Sequence, residues 1–181
     1  AKLSVPWIGW EKGAGIPARA SFVLKDADGQ MELSDFRLTG ETFGLAGQVI
    51  VAQGRLREAN FSNVRFNRDD DLSVDIRARG NGYDVVARGN SFDARSVIKL
   101  VTGKDTKPED ASAGTPIKLQ ASLKQVTGFH DVRLEQVTAE YASGNGPDRL
   151  SIRAATPVFG SVIFARWTEG GQRQLRLQSE N

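Results

Sequence analysis

Asn81-Gly82-Tyr83-Asp84-Val85-Val86-Ala87-Arg88-Gly89-Asn90-Ser91-Phe92-Asp93-Ala94-Arg95-Ser96-Val97-Ile98-Lys99-Leu100-Val101-Thr102 is the segment from which the fold is predicted. Asn-Gly is typical of a two-residue hairpin turn, because both central residues of a type I′ turn need positive φ. From Tyr83 to Arg88 the side chains alternate with the period of a strand that has two unlike faces. At Ser91 the period changes, since Ser91 or Asp93 can cap a helix whose apolar positions then recur at helical spacing. The segment therefore predicts a hairpin strand followed by one helix over 93–102.

Tracts with strand periodicity lie on both sides of this segment. Alternation predicts strands at 18–25, 30–39, 42–53, 56–67 and 72–79 before it, and at 117–126, 132–141, 149–155, 158–168 and 173–178 after it. Asp28-Gly29, Asn145-Gly146 and Gly170-Gly171 are typical turn sequences. Roughly ten or eleven strands joined by tight turns predict a mainly β fold, an antiparallel meander with one short α-helix in the middle.

A short motif of an Asp or Asn, an apolar residue, Arg and a second apolar residue occurs three times. Its copies are Asp35-Phe36-Arg37-Leu38, Asn63-Val64-Arg65-Phe66 and Asp131-Val132-Arg133-Leu134. Beside them the apolar residues are spaced by three and then by two, as in Leu33, Phe36, Leu38, in Phe61, Val64, Phe66 and in Leu134, Val137, Ala139. A step of three inside a strand predicts a β-bulge, and bulges curve a sheet.

The domain organisation follows from these tracts. We expect one β-rich domain over 1–181, a fragment of a longer protein, with a first strand module at 18–102 that includes the helix. A segment at 103–115 rich in Lys, Asp, Pro, Ser and Gly predicts a flexible loop, and a second strand module follows at 116–181.

Composition and motifs argue against several classes of function. The net charge is +2 with basic and acidic residues evenly spread, which gives nucleic-acid binding no support, and the absence of Cys excludes thiol chemistry. His130 and Asp131 are neighbours that a strand would point to opposite faces, and Asp69-Asp70-Asp71 is more typical of a charged turn than of a calcium loop. We expect no enzyme, no catalytic residues, no metal and no cofactor.

One face of each predicted strand is apolar and must be covered. A single helix cannot cover about ten strands, so the sheet must form a sandwich, close into a barrel, or curl around an apolar trough. The candidate lining residues are Phe22, Leu24, Met31, Leu33, Phe36, Leu38, Phe43, Leu45, Val49, Val51, Phe61, Val64, Phe66, Leu72, Val74 and Ile76. They could line a ligand trough or fill a dry core.

The segment from Gly82 to Arg95 with the apolar helix after it, and the final strand Arg173-Gln174-Leu175-Arg176-Leu177-Gln178-Ser179-Glu180-Asn181, resemble the AsmA-like envelope proteins of Gram-negative bacteria, in particular the YhdP-type members. The resemblance implies a half-open, U-shaped sheet with an apolar interior that shields phospholipid acyl chains or another acyl-chain ligand. It also implies a periplasmic location, a parent protein anchored in the inner membrane, and a contribution to lipid transport and outer-membrane biogenesis. Neighbouring strand modules of the same parent chain would be its partners.

Two other functions remain open at this point. The domain could be a closed structural or interaction module that serves the assembly of envelope proteins without a ligand. It could also bind carbohydrate through Trp7, Trp10 and Trp167, although aromatic packing is the commoner role of such side chains.

Overall fold

The computed structural model describes residues 3–5, 10–102, 115–144, 149–156, 160–169 and 172–180. It contains thirteen strands and one α-helix: β1 (Leu3–Val5), β2 (Trp10–Lys12), β3 (Ala18–Ala27), β4 (Gln30–Gly40), β5 (Gly44–Ala52), β6 (Arg55–Arg65), β7 (Asp71–Arg79), β8 (Gly82–Asp93), α1 (Arg95–Thr102), β9 (Ile117–Thr127), β10 (Arg133–Ser143), β11 (Arg149–Thr156), β12 (Gly160–Glu169) and β13 (Gln172–Glu180). The prediction of a mainly β fold with one short helix is confirmed.

Eleven of the strands form one open sheet. Its order is β13-β12-β11-β10-β9-β8-β7-β6-β5-β4-β3, so each strand lies beside its neighbour in the chain, and β1 pairs only with β2. All pairs in the large sheet are antiparallel except β8 and β9, which are parallel. The prediction of antiparallel pairing is therefore wrong at this one junction. A parallel neighbour requires the chain to return to the end of the sheet at which β8 begins, and α1 lies in that crossover.

The hairpin turns are formed by residues that can adopt positive φ. Asp28 and Gly29 have φ of 53° and 75°, which confirms the predicted turn as type I′. Gln53 and Gly54 form a turn of the same kind, which the sequence reasoning missed because it assigned Gln53 to a strand. The turns predicted at 145–146 and 170–171 lie outside the described residues.

The hairpin between β7 and β8 forms one residue earlier than predicted. Arg79 pairs with Gly82, so Gly80 and Asn81 are the central residues, and of these only Gly80 has positive φ, at 58°. This arrangement is typical of a type II′ turn, whose first central residue is glycine. Gly82 instead begins β8, where a Cβ would lie 2.3 Å from the carbonyl oxygen of Pro116.

The helix also begins later than predicted. β8 continues through Ser91 to Asp93, and α1 starts at Arg95. Asp93 still acts at the helix start, because its Oδ1 accepts a hydrogen bond of 3.0 Å from the backbone N–H of Arg95. Ala94 fixes the junction, since its N–H donates to the carbonyl of Thr127 at the end of β9 over 2.9 Å.

His130 and Asp131 do not lie in a strand. They belong to a 3-10 turn at Phe129–Asp131 in which His130 has φ of 55°. His130 is exposed, as expected for a turn histidine, but the predicted alternation of the two side chains across a strand is wrong.

The predicted bulges are present and lie in alternate strands of the sheet. The register shifts between Leu33 and Phe36 in β4, between Phe61 and Val64 in β6, and between Glu135 and Thr138 in β10. Asp35 and Gln136, the extra residues of the first and third shifts, have φ of 51° and 50°. β8 has a further extra residue, Asn90, because Asp71 pairs with Ser91 while Leu72 pairs with Gly89. Because each bulge bends its own strand, the line that joins the bulges of β4, β6, β8 and β10, called the crease below, bends the sheet.

Candidate functional site

The apolar face of the sheet is continuous from one edge strand to the other. Residues paired in register on neighbouring strands project to the same face, so the pairings define rows that run across the strands. Row 1 consists of Leu24, Leu33, Val49, Ala59, Ile76, Val85, Leu119, Tyr141, Leu150, Arg166 and Leu175. It has one residue from every strand of the large sheet.

Two more rows run beside row 1 on the same face. Row 2 consists of Phe36, Gly47, Phe61, Val74, Ala87, Ala121, Ala139, Ile152, Phe164 and Leu177. Row 3 consists of Ala20, Leu38, Leu45, Val64, Leu72, Gly89, Leu123 and Val137, and after the bulge in β10 it continues through Ala154, Val162 and Ser179. Arg166 is the one charged residue in the three rows.

The rows are long enough to accommodate an acyl chain. Rows 1 and 3 cross eleven strands, with ten intervals of about 4.8 Å, and extend about 48 Å, while row 2 crosses ten strands and extends about 43 Å. A chain drawn from a bilayer loses about 0.8 kcal/mol for each methylene, and only an apolar surface can restore that free energy. An apolar strip of this length and composition meets that physical requirement.

Burial along the strip is uneven. In the middle of the sheet Val64 is 1% exposed, and Leu72, Val74, Val85, Leu123, Val126, Val137 and Ala154 join it in one buried cluster. Toward the β3 edge Phe22 is 50% and Leu24 53% exposed, and at the β13 edge Leu175 is 64% and Leu177 74% exposed. The middle of the apolar face is therefore a packed core, while both ends present apolar side chains to the surroundings.

Phenylalanines form the surface of the β3 end. The rings of Phe22 and Phe36 stack with centroids 6.4 Å apart, and those of Phe36 and Phe61 meet edge to face at 6.2 Å. Phe36 and Phe61 are both partners of Gly47 on the strand between them. Strands two apart are about 9.6 Å from each other, so the rings lean together over the glycine. They give this end of the strip a continuous aromatic surface.

The structure places the predicted lining residues on this face. All except Phe43 and Phe66 lie in strands β3–β7 at positions of rows 1–3 or in line with them, and Phe43 and Phe66 follow the ends of β4 and β6. Phe43, Val64, Leu72 and Val74 are buried, whereas Phe22, Leu24 and Met31 are exposed and the others are half-buried. The prediction thus combines members of a dry core with members of an open surface.

Sequence reasoning missed the half of the face that β8–β13 supply. Leu119, Leu150 and Phe164 show the same alternation as the N-terminal strands, so that signal could have identified them. Tyr141 and Arg166 carry polar tips at positions of the apolar face, and only the register reveals that they belong to row 1.

A groove of about 460 Å³ is lined by three consecutive residues from each of β9–β12. The Leu119, Tyr141, Leu150 and Arg166 positions of row 1 form its floor, and the residues before and after each of them, which include Trp167, project to the face opposite the three rows. A second groove, of about 630 Å³, lies along the crease where Ser62, Ser73, Ser122 and Thr138 are among its lining. Its hydroxyl side chains belong to the face opposite the three rows.

The Asp69-Asp70-Asp71 segment is a structural turn. Asp70 is 3% exposed, and its carboxylate accepts backbone N–H bonds from Phe66 at 3.1 Å, Asn67 at 2.8 Å and Asp93 at 2.8 Å. Desolvation by burial raises the pKa of Asp70 above its ordinary value, although the three hydrogen bonds oppose that rise. Among the residues that the structure describes, no cluster of His, Asp or Glu is suited to hold a metal ion.

Of the three tryptophans, only Trp167 has a described side chain. It is half-buried in β12, on the face opposite row 1, and the Arg176 guanidinium lies 5.9 Å from its ring centroid. Trp7 and the side chain of Trp10 lie outside the described residues. An aromatic surface shared by the three tryptophans stays a prediction.

None of the helices in the described part of the chain is long and apolar enough to cross a membrane. Comparison with models of protein families, with curated proteins and with solved structures finds no match.

Proposed function

We propose that this chain is a non-enzymatic segment of an AsmA-like periplasmic protein, in which the apolar face shields phospholipid acyl chains between the two membranes of the envelope. The parent protein would be anchored in the inner membrane, and neighbouring strand modules of the same chain would extend the sheet. Its contribution would be to lipid transport and outer-membrane integrity.

The observation that carries the proposal is the continuity of rows 1–3. Three neighbouring rows of apolar side chains cross the strands of an open sheet, and charge occurs in them only at Arg166. A buried charge without a partner would cost several kcal/mol and would stop an acyl chain. The scarcity of charged residues in the three rows therefore favours the passage of an acyl chain along them. A sheet that only needed a core could leave such rows interrupted at the edge strands.

The exposed ends support the same proposal. Phe22 and Leu24 on β3 and Leu175 and Leu177 on β13 are large apolar side chains that are at least half exposed. They are positioned where an acyl chain would enter or leave this segment. The packed middle means that a chain passing through must displace protein side chains from one another.

That packed middle also favours a second candidate function. A closed module without a ligand needs only a dry core, which the cluster around Val64 supplies. In that case the exposed ends would be surfaces for other segments of an envelope assembly.

A photocrosslinking amino acid introduced at Leu24 tests the proposal, with Val23 as the matched control. The two neighbours are 53% and 49% exposed, but row 1 contains Leu24 whereas Val23 projects to the opposite face. The purified chain is mixed with phosphatidylglycerol vesicles, illuminated and analysed by mass spectrometry. We expect lipid adducts at Leu24 and few at Val23.

Equal labelling at the two positions would mean that any exposed apolar residue captures lipid, and the proposal would be wrong. No labelling at Leu24 or at Leu177 would favour the closed module. A polar-face position such as Gln48 supplies the background level.

A further inference from the structure

The large sheet ends in an unpaired strand on either side. Within the described part of the chain, no strand lies beside the outer edge of β3 or of β13. All ten residues of β3 are exposed, and on β13 Leu175 and Leu177 are 64% and 74% exposed. Neither strand contains Pro or the extra residue of a bulge, because the register shift between β3 and β4 comes from the longer step on β4. Regular edges of this kind are templates for the addition of another strand.

The two edge strands run in opposite directions. Nine of the ten pairings in the sheet are antiparallel and the pairing of β8 with β9 is parallel, which leaves an odd number of reversals between β3 and β13. When a second copy is placed beside the first with its rows on the same face, its β3 is therefore antiparallel to β13 of the first copy. The parallel junction beside α1 is the reason that the two edges can pair in this way.

The rows of two copies meet in a single register. Row 1 and row 3 end four residues apart on β3, and they also end four residues apart on β13. One antiparallel register therefore joins both rows of one copy to those of the next. Phe22, whose ring stacks on Phe36, then lies opposite the row 2 residue of β13. The row pairs in this register are Leu24 with Leu175, Phe22 with Leu177 and Ala20 with Ser179.

The charges along the two strands favour the same register. The oppositely charged pairs in it are Asp26 with Arg173 and Arg19 with Glu180. Opposite charges at paired positions stabilise a sheet, and like charges destabilise it. The neighbouring registers that keep the same faces together lose both pairs, and one of them places Lys25 opposite Arg176. Pairing of β13 with itself, with leucine opposite leucine, would place Arg176 opposite its own copy.

We propose that β13 of one copy of this chain pairs with β3 of a second copy, head to tail, so that the three rows continue from copy to copy. Two different surfaces meet in this contact, and each added copy leaves one β3 edge and one β13 edge unpaired. The assembly therefore continues to grow with concentration and does not stop at a dimer. The inference goes beyond the proposed function, since pairing of the edges requires no lipid.

Cysteine cross-linking tests the register, because the chain contains no Cys of its own. Ser21 and Gln178 are exposed on the face opposite the rows and lie opposite each other in the proposed register, whereas Val23 is the next residue of β3 on that face. A Ser21→Cys chain and a differently tagged Gln178→Cys chain are mixed, oxidised and separated on a non-reducing gel. We expect a mixed disulfide dimer, and much less of it when Val23→Cys replaces Ser21→Cys, because a diagonal pair is too far apart for a disulfide.

Charge reversal tests the same contact in solution. Asp26→Arg and Arg173→Asp should each weaken self-association about tenfold in sedimentation equilibrium, and both changes in one chain should restore it. Arg153→Asp is the matched control, because Arg153 is exposed on β11 inside the sheet and its reversal changes the net charge as that of Arg173 does. Far-ultraviolet circular dichroism verifies that each variant is folded.

Several results would overturn the inference. Equal cross-linking of Gln178→Cys to Ser21→Cys and to Val23→Cys would mean that the edges meet without a fixed register. Disulfide dimers of one variant with itself, as abundant as the mixed dimer, would indicate a two-fold contact. A chain that stays monomeric, or a double reversal that fails to restore association, would exclude the head-to-tail contact. These experiments contain no lipid, so their failure leaves the labelling test of the proposed function untouched.

Discussion

The packed middle of the apolar face predicts that Val64→Ala is strongly destabilising. Val64 is 1% exposed and lies in row 3 beside the crease, in contact with the buried cluster. The substitution removes two methyl groups, worth about 0.8 kcal/mol each in transfer free energy. The cavity left in a packed core adds to that loss, so we expect the free energy of unfolding to fall by about 2–3 kcal/mol.

Val23→Ala removes the same atoms from a different environment. Val23 is 49% exposed on the edge strand β3, so its loss should change the free energy of unfolding by less than about 0.5 kcal/mol. Urea unfolding followed by circular dichroism gives both values. The slope of the free energy of unfolding against urea concentration should be unchanged if the folded and unfolded states keep their exposed areas. In a chain of this size the Val64 variant should also unfold at a temperature about 4–12 °C lower.

A small effect of Val64→Ala would refute the reasoning. If both valine variants lost similar amounts, the middle of the sheet would not be a packed core, and the face would be open along its whole length. Such a result would strengthen the trough and weaken the closed module. A large difference between the variants would limit freely accessible lipid-binding surface to the two ends.

Three further predictions concern the turn, the helix start and the crease. Asp70→Asn should cost about 1–3 kcal/mol because an amide N–H₂ would face backbone N–H donors, whereas Asp69→Asn at the neighbouring exposed position should be neutral in the same unfolding assay. The Arg95 side chain lowers the pKa of Asp93 below its ordinary 3.8. The stability that the ionised Asp93 contributes is therefore complete above pH 3.8 and is lost as the pH falls through the lowered pKa. The difference in stability between wild type and Asp93→Asn should shrink on acidification, and a constant difference would contradict the pairing of Asp93 with Arg95. Burial raises the pKa of Asp70, so the folded state takes up a proton at a higher pH than the unfolded state does. The effect of acidification on stability therefore has the opposite sign at Asp70 from that at Asp93. Gly47→Ala should cost about 1–3 kcal/mol since its Cβ would lie 2.0 Å from the Asn60 carbonyl oxygen, and a fully stable variant, as judged by thermal unfolding, would show that the bulge adapts.

Local chemistry made much of the sheet predictable. Alternating side chains located the strands, and the steps of three at Leu33–Phe36, Phe61–Val64 and Leu134–Val137 located bulges, because an extra residue is the only way for a strand to keep both apolar residues on one face. Asp28-Gly29 forms its turn since both residues tolerate positive φ. These features depend on a few neighbouring residues, so sequence patterns are sufficient.

Features set by distant residues were not predictable in the same way. The shift of the turn to Gly80-Asn81 keeps Gly82 in β8 against Pro116, a residue that is adjacent only in the folded sheet. β8 extends to Asp93 because β9 pairs with it in parallel as far as Thr127. The place of Arg166 in an apolar row likewise depends on the pairing of β11 with β12, which no local pattern specifies.

The crease links the packed middle to the open ends. A bulge bends one strand, but the bulges of β4, β6, β8 and β10 together bend the sheet as a whole. Where the side chains on both sides are large, as at Val74 and Val64, they fill the bend and exclude solvent. At the edge strands each row has a neighbour on one side only, so less of every side chain is covered. The same bend therefore stabilises the fold at its centre and leaves its two ends as the surfaces with apolar area still to be buried.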